Sequence, residues 1–147
     1  MNITEINAAG LIQAALLARE NSYSPYSHFR VGAALLCADG SVYTGCNIEN
    51  AAFTPGICAE RTAIYKAVSE GRRDFQAIAI AGGPEGGEPA LTAPCGVCRQ
   101  VMREFCDPEE FRIILGAGTG EKQVYLLKEL LPLSFGPDNL KEKEKYS

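Results

Sequence analysis

Histidine is nearly missing from this chain: His28 is the only one among 147 residues. A metal site built on paired imidazoles is thereby excluded, and any bound transition metal must rely on sulfur or carboxylate. Long apolar runs are missing too. No stretch approaches the roughly 18 residues of a membrane span. Met1 to Arg19 has no basic segment ahead of an apolar one, so no secretory signal is expected. Basic residues are scattered, with 14 Lys and Arg against 18 Asp and Glu, for a net charge of −4. Nucleic-acid binding needs a cationic footprint to displace counterions, and this chain has none, nor a phosphate-binding loop. The expectation is a cytoplasmic protein with neither nucleic acid nor membrane among its partners.

What is present suits one domain over residues 1–147, with a polar tail from about 138. Apolar residues make up 46% and charged residues 22%, which is ordinary for a globular chain able to bury a core. Apolar spacing predicts a first helix over Thr4 to Asn21, with Thr4 as cap and Ile6, Ala9, Ile12, Leu16 and Leu17 as its stripe. "RVGAALLCADGSVYTGCN" reads as a hairpin turning at Ala38-Asp39-Gly40. A second helix is expected over about Cys58 to Glu70, ending at Gly71, and a third from about Pro94 to Phe105. "FQAIAIAGG" and "FRIILGAG" have the all-apolar character of strands buried on both faces. "KQVYLLKEL" is a fifth strand, or a strand leading into a helix. This alternation predicts an α/β fold, with a mixed sheet covered by helices.

Six cysteines in a reducing compartment suggest metal binding or catalysis before disulfides. Cys95 and Cys98 stand at i and i+3 on one helix start, and Cys58 stands at another. Helix N-termini favour the thiolate that a metal requires. Only one Cys-x-x-Cys pair exists, and where a fourth ligand is expected the sequence offers Glu60. Spacing leaves three readings open: a catalytic zinc with an open position, a structural zinc completed by Cys37, Cys46 or Cys106, or a redox pair without metal. Three thiolates leave zinc with a formal charge of −1, so water activation needs local positive charge. Two helix starts and Arg61 can supply it, while Glu60 moves the proton.

Cys58-Ala59-Glu60 with Pro94-Cys95-Gly96-Val97-Cys98 matches the zinc deaminase signature, cysteine standing in for histidine. "YSPYSHFRVGAAL", "GCNIENAAF", "CAERTAIYKAVSEG", "APCGVCRQVMREF" and "LLPLSFGP" follow in order, so the chain resembles the homotetrameric cytidine deaminases with three-cysteine zinc. The resemblance implies a three-layer α/β/α fold with a five-stranded mixed sheet and one zinc ion per subunit on Cys58, Cys95 and Cys98. It implies hydrolysis of cytidine and 2′-deoxycytidine to uridine and 2′-deoxyuridine with release of ammonia. Glu60 then carries the proton during attack at C4, with Arg61 behind the sulfurs. By the same resemblance Phe29 packs on the base, Asn47 and Glu49 hold the ribose, and the backbone of Ala59 and Cys95 meets the base's polar groups. Ala51, Phe53 and Phe135 reach into a neighbouring subunit's site. The family often has tyrosine where this chain has Phe53. A related blasticidin S deaminase shares the metal core, and a structural zinc module for partner binding is the alternative outside enzymes.

Overall fold

In the computed structural model, which describes residues 3–141, five strands form one mixed sheet. Helix α1 (Ile3–Arg19) leads to a hairpin of β1 (Phe29–Cys37) and β2 (Val42–Cys46). Helix α2 (Ala59–Ser69), β3 (Phe75–Pro84), α3 (Gly96–Phe105), β4 (Arg112–Gly116) and β5 (Lys122–Leu126) follow, then two short helices, α4 (Leu127–Leu130) and α5 (Pro137–Leu140). The sheet order is β2-β1-β3-β4-β5, parallel only between β3 and β4. Parallel neighbours need a crossover of a dozen residues or more, and α3 lies in that connection. The hairpin turns at Gly40, whose φ of +91° is the left-handed conformation that glycine adopts without a Cβ penalty.

Side-chain alternation along the strands builds two cores. Ala33, Leu35 and Cys37 of β1 join Ile78, Ile80, Ile113 and Leu115 on one face, where α2 and α3 contribute Ala63, Ile64 and Met102. Ala34 and Leu36 point the other way and join Ala77, Ala79 and Ile114 under Ala8, Leu11 and Ala15 of α1. Both faces are covered, which is why β3 and β4 read as unbroken apolar runs. Each fully buried isoleucine contributes about 1.5–3 kcal/mol to holding the layers together.

Helix α1 is rotated from its expected stripe. Ala8, Leu11 and Ala15 face the sheet, whereas Leu17 is 62% exposed and Ile12 and Leu16 are only partly buried. The cause is close approach: a Cβ on Gly32 would sit 1.9 Å from the Ala15 carbonyl oxygen, so only small side chains fit between helix and strand. The side chains of Thr4 and Ile6 lie outside the described residues. Helices α2 and α3 begin one and two residues later than the spacing suggests, which makes Cys58 and Cys95 their N-caps. "KQVYLLKEL" is β5 followed by α4. In the expected polar tail, Pro137 to Leu140 form the turn of α5, and residues 142–147 lie outside the described residues.

Candidate active site

The two N-caps put sulfur at the positive ends of two helices on the same face of the sheet. Cys58 and Cys95 both have extended backbone as caps, and neither uses its side chain to cap its helix. The sulfurs are free for another partner. Cys58 Sγ lies 3.6 Å from Cys95 Sγ, and Cys95 Sγ lies 3.5 Å from Cys98 Sγ. All three fall within 4.8 Å of one another, and among the described residues no other His, Cys, Asp or Glu joins them. Tetrahedral zinc with Zn–S near 2.3 Å separates its sulfurs by about 3.8 Å, so this triangle needs little adjustment to hold the ion. Cys37, Cys46 and Cys106 are outside the cluster, which leaves a structural site without its expected fourth thiolate.

Arg61 lies one turn beyond Cys58, and its Nη2 donates to Cys58 Sγ at 3.4 Å. Its Nε is buried with no hydrogen-bond partner, so the guanidinium is oriented by the sulfur side of the site. Burial works against the charge on Arg61, but hydrogen bonds to Cys58 and Cys98 outweigh it and push its pKa up. Cys58 is held down to about 5, first by the hydrogen bond from Cys98 and then by Arg61 and Cys95. The donor set therefore fits a cation: three sulfurs converge, the Cys58 thiol is shifted toward the thiolate form, and a half-buried guanidinium offsets the excess negative charge.

Glu60 occupies the first turn of α2 and is only 4% exposed. Burial, followed by the nearby Cys58, pushes its carboxyl up to about 7. It lines a cavity of about 600 Å³ together with Ala59, Arg61, Cys58 and Cys95. Asn47 and Glu49 line the same cavity from the end of the hairpin. Asn47 donates from Nδ2 to the Phe29 carbonyl at 2.8 Å and accepts at Oδ1 from the Val31 amide at 2.9 Å. Glu49 Oε1 accepts from the amides of Tyr26 and Ser27 at 2.9 and 3.1 Å.

Phe29 stands at the start of β1, 38% exposed, beside the cavity and not among its walls. Phe53 is a wall residue but is 96% exposed, Ala51 is exposed next to it, and Phe135 lies 57% exposed away from this chain's cavity. The Phe135 carbonyl accepts from Gln100 Nε2 at 2.8 Å, which ties its loop to α3. Tyr26, Ser27 and Thr92 also wall the cavity. Motif reading leaves them without a role, because their relation to the site depends on how the loop after α1, and for Thr92 the loop between β3 and α3, folds back. Two serines join the polar residues directly: Ser22 donates to Asn47 Oδ1 and Ser27 to Glu49 Oε2.

Comparison with known proteins agrees with this geometry. Residues 6–113 match the family model described as the cytidine and deoxycytidylate deaminase zinc-binding region. The chain is 49% identical over 132 residues to a cytidine deaminase of Halalkalibacterium halodurans, covering 90% of this chain and 96% of that one. It is 46% identical over 130 residues to a cytidine deaminase of Sporosarcina psychrophila, covering 88% and 92%. Among solved structures, a cytidine deaminase from Burkholderia pseudomallei superposes with a TM-score of 0.79 at 45% identity, covering 86% of this chain and 98% of that chain.

Proposed function

This chain belongs to the cytidine and deoxycytidylate deaminase family, and we propose that it hydrolyses the 4-amino group of cytidine and 2′-deoxycytidine, releasing ammonia and leaving uridine and 2′-deoxyuridine. The observation that carries this is Glu60, a buried carboxyl two residues from Cys58, sharing one cavity wall with Cys58 and Cys95 of the three-sulfur cluster. A structural metal module has no use for such a carboxyl, and among the described residues its fourth ligand is missing.

Cys58, Cys95 and Cys98 would hold zinc, whose contribution when bound is Lewis acidity toward water. The remaining chemistry belongs to the chain. Glu60 accepts one proton from the attacking water and delivers it to N3 of the pyrimidine, then takes the second from the new C4 hydroxyl and passes it to the amino group, so that the C4–N bond breaks, ammonia leaves and C4 becomes a carbonyl. Arg61 balances the thiolate charge from behind. The Ala59 and Cys95 backbones face the base's polar edge, and Phe29 packs on its ring. Asn47 and Glu49 take the ribose.

The cavity walls favour a free nucleoside over a nucleotide. Their one cation among the described residues is Arg61, already directed at sulfur, and Glu49 adds a carboxylate, so nothing there matches a 5′-phosphate. The exposed aromatic rings of Phe53 and Phe135, with Ala51, suit completion of each site by a neighbouring subunit of a homotetramer. One domain carries this activity. No helix among the described residues is long and apolar enough to cross a membrane, which fits a cytoplasmic setting.

The test is ammonia release by the purified zinc-loaded protein from cytidine, with CMP and blasticidin S in parallel. Release from cytidine alone supports a nucleoside deaminase. Silence on cytidine with zinc bound overturns the substrate, and equal release from CMP overturns the preference for a nucleoside.

A further inference from the structure

Residues 131–136, between α4 and α5, belong to no helix or strand, yet they carry Phe135. Side chains of α3 hold this stretch. Arg99 Nη1 donates to the Leu130 carbonyl at 2.8 Å, just where the stretch begins. Gln100 Nε2 donates to the Phe135 carbonyl at 2.8 Å, and Arg103 Nε donates to Ser134 Oγ at 3.0 Å. Gln100 and Arg103 stand at i and i+3, so they meet the loop from one helix face. Gly136 closes the contact. A Cβ there would sit 2.6 Å from Arg103 Nη1 and 2.7 Å from Nε, so the loop backbone lies directly on the guanidinium. Its φ of −154° is ordinary extended backbone, so close approach and not conformation requires glycine. The Arg103 side chain is only 12% exposed, whereas its ionic partner Asp138, at 3.6 Å, is 76% exposed and adds little. Upstream, Leu133 takes a φ of +50°, a left-handed turn that a non-glycine residue keeps only where its surroundings impose it. The hydrogen bonds engage backbone and Ser134, and the Phe135 ring is left 57% exposed.

We propose that Arg103 is a positioning residue for Phe135, holding its loop so that the ring is presented in a fixed direction to the neighbouring subunit's site. This rests on reading Phe135 as part of that site. An exposed aromatic on an irregular loop otherwise loses conformational freedom when it packs against a partner or a substrate, and that cost falls on binding. Anchoring the loop on a helix removes much of it beforehand. The helix concerned is also the one that follows Cys95 and contains Cys98. One rigid element thus fixes two sulfurs of its own chain's cluster at its start and, one to two turns on, an aromatic of the neighbour's site. Arg103 meets no reacting atom, and its effect passes through Phe135.

The test compares zinc-loaded wild type with Arg103→Ala, Gly136→Ala, Phe135→Ala and the Phe135→Ala/Arg103→Ala double variant, reading kcat, the KM for cytidine and zinc content. Phe135→Ala should raise KM roughly three- to tenfold, the scale of one lost aromatic contact. Arg103→Ala should raise it by a similar factor with zinc content unchanged, and the double variant should be no worse than Phe135→Ala alone. Gly136→Ala, which pushes the guanidinium aside but keeps the arginine, should reproduce the effect, and it replaces Arg103→Ala if that chain fails to assemble. Arg103→Ala subunits refolded together with Glu60→Gln subunits should regain a class of sites with the wild-type KM. In those hybrids the intact Glu60 of one chain faces a Phe135 held by the intact Arg103 of the other. Full additivity in the double variant, or zinc loss in step with the rise in KM, overturns the positioning role. Hybrids that never regain the wild-type KM, where hybrids of Phe135→Ala with Glu60→Gln do, overturn it as well, because Arg103 then acts within its own site. An unchanged KM in Phe135→Ala is a separate failure, that of the shared-site reading beneath.

Discussion

Gly45 on β2 meets Ala59 on α2 backbone to backbone: a Cβ added to Gly45 would sit 2.7 Å from the Ala59 carbonyl oxygen and 2.6 Å from the Ala63 nitrogen. The atoms it would strike belong to a helix and cannot swing aside. The helix start carrying Cys58, Ala59 and Glu60 is therefore seated directly against the hairpin that ends in Asn47 and Glu49. Gly45→Ala should lift α2 and cost about 1–3 kcal/mol, lowering Tm by several degrees for a chain of this size. Zinc content should fall with it. A variant that melts like wild type would mean that α2 moves freely over β2.

Glu60→Gln should leave the cysteine cluster intact and keep zinc, since the residue is not one of the three clustered ligands. Turnover should drop by about 10²–10⁴-fold, the usual contribution of a positioned acid–base group. Metal analysis alongside steady-state kinetics checks both halves. Turnover near wild type would remove Glu60 from the proton path.

Arg61→Ala removes the guanidinium that donates to Cys58 Sγ at 3.4 Å. Partners behind metal ligands are commonly worth about 10–100-fold in affinity, and that loss should appear in a competition between protein and chelator. Arg61→Lys should recover only part of it, because an ammonium lacks the fork that reaches two sulfurs. Unchanged affinity in Arg61→Ala would assign the arginine to packing.

Stripping the metal with a chelator should abolish activity and add Cys58 and Cys95, the two cluster sulfurs that are not buried, to the thiols that react with an alkylating reagent. Cys37 and Cys106 should stay slow in both states, since burial raises their pKa above the ordinary thiol value. Mass spectrometry of the labelled peptides distinguishes the sites. Equal labelling of Cys58 and Cys95 with and without chelator would mean that no metal occupies the cluster.

Mixing Glu60→Gln and Phe135→Ala subunits by joint unfolding and refolding should give more activity than the average of the two parents. Each hybrid can form a site in which an intact Glu60 faces an intact Phe135 from the other chain. Phe135 is 57% exposed in the single chain and outside its cavity, which leaves its ring available to the partner's cavity that the proposed tetramer calls for. Activity equal to the average would mean that sites are not shared.

Local spacing sufficed for much of this protein. The i, i+3 pair of Cys95 and Cys98, the closeness of Glu60 and Arg61 to Cys58, the Asp39-Gly40 turn and the apolar runs of β3 and β4 all depend on neighbours within about one helical turn or one strand, where geometry is set by backbone periodicity. Long-range packing decided the rest. Cys58 joins a pair 37 residues away only because α2 and α3 lie on one face of the sheet, their N-caps side by side. The rotation of α1 follows from the contact between Gly32 and Ala15, which hydropathy does not record. Ser22 and Ser27 reach Asn47 and Glu49 because the loop after α1 pairs at Tyr23 with Ile48 across 25 positions of chain. Hydrogen bonds of that kind have no sequence period. They exist only once the sheet has brought both loops to the same edge of the cavity.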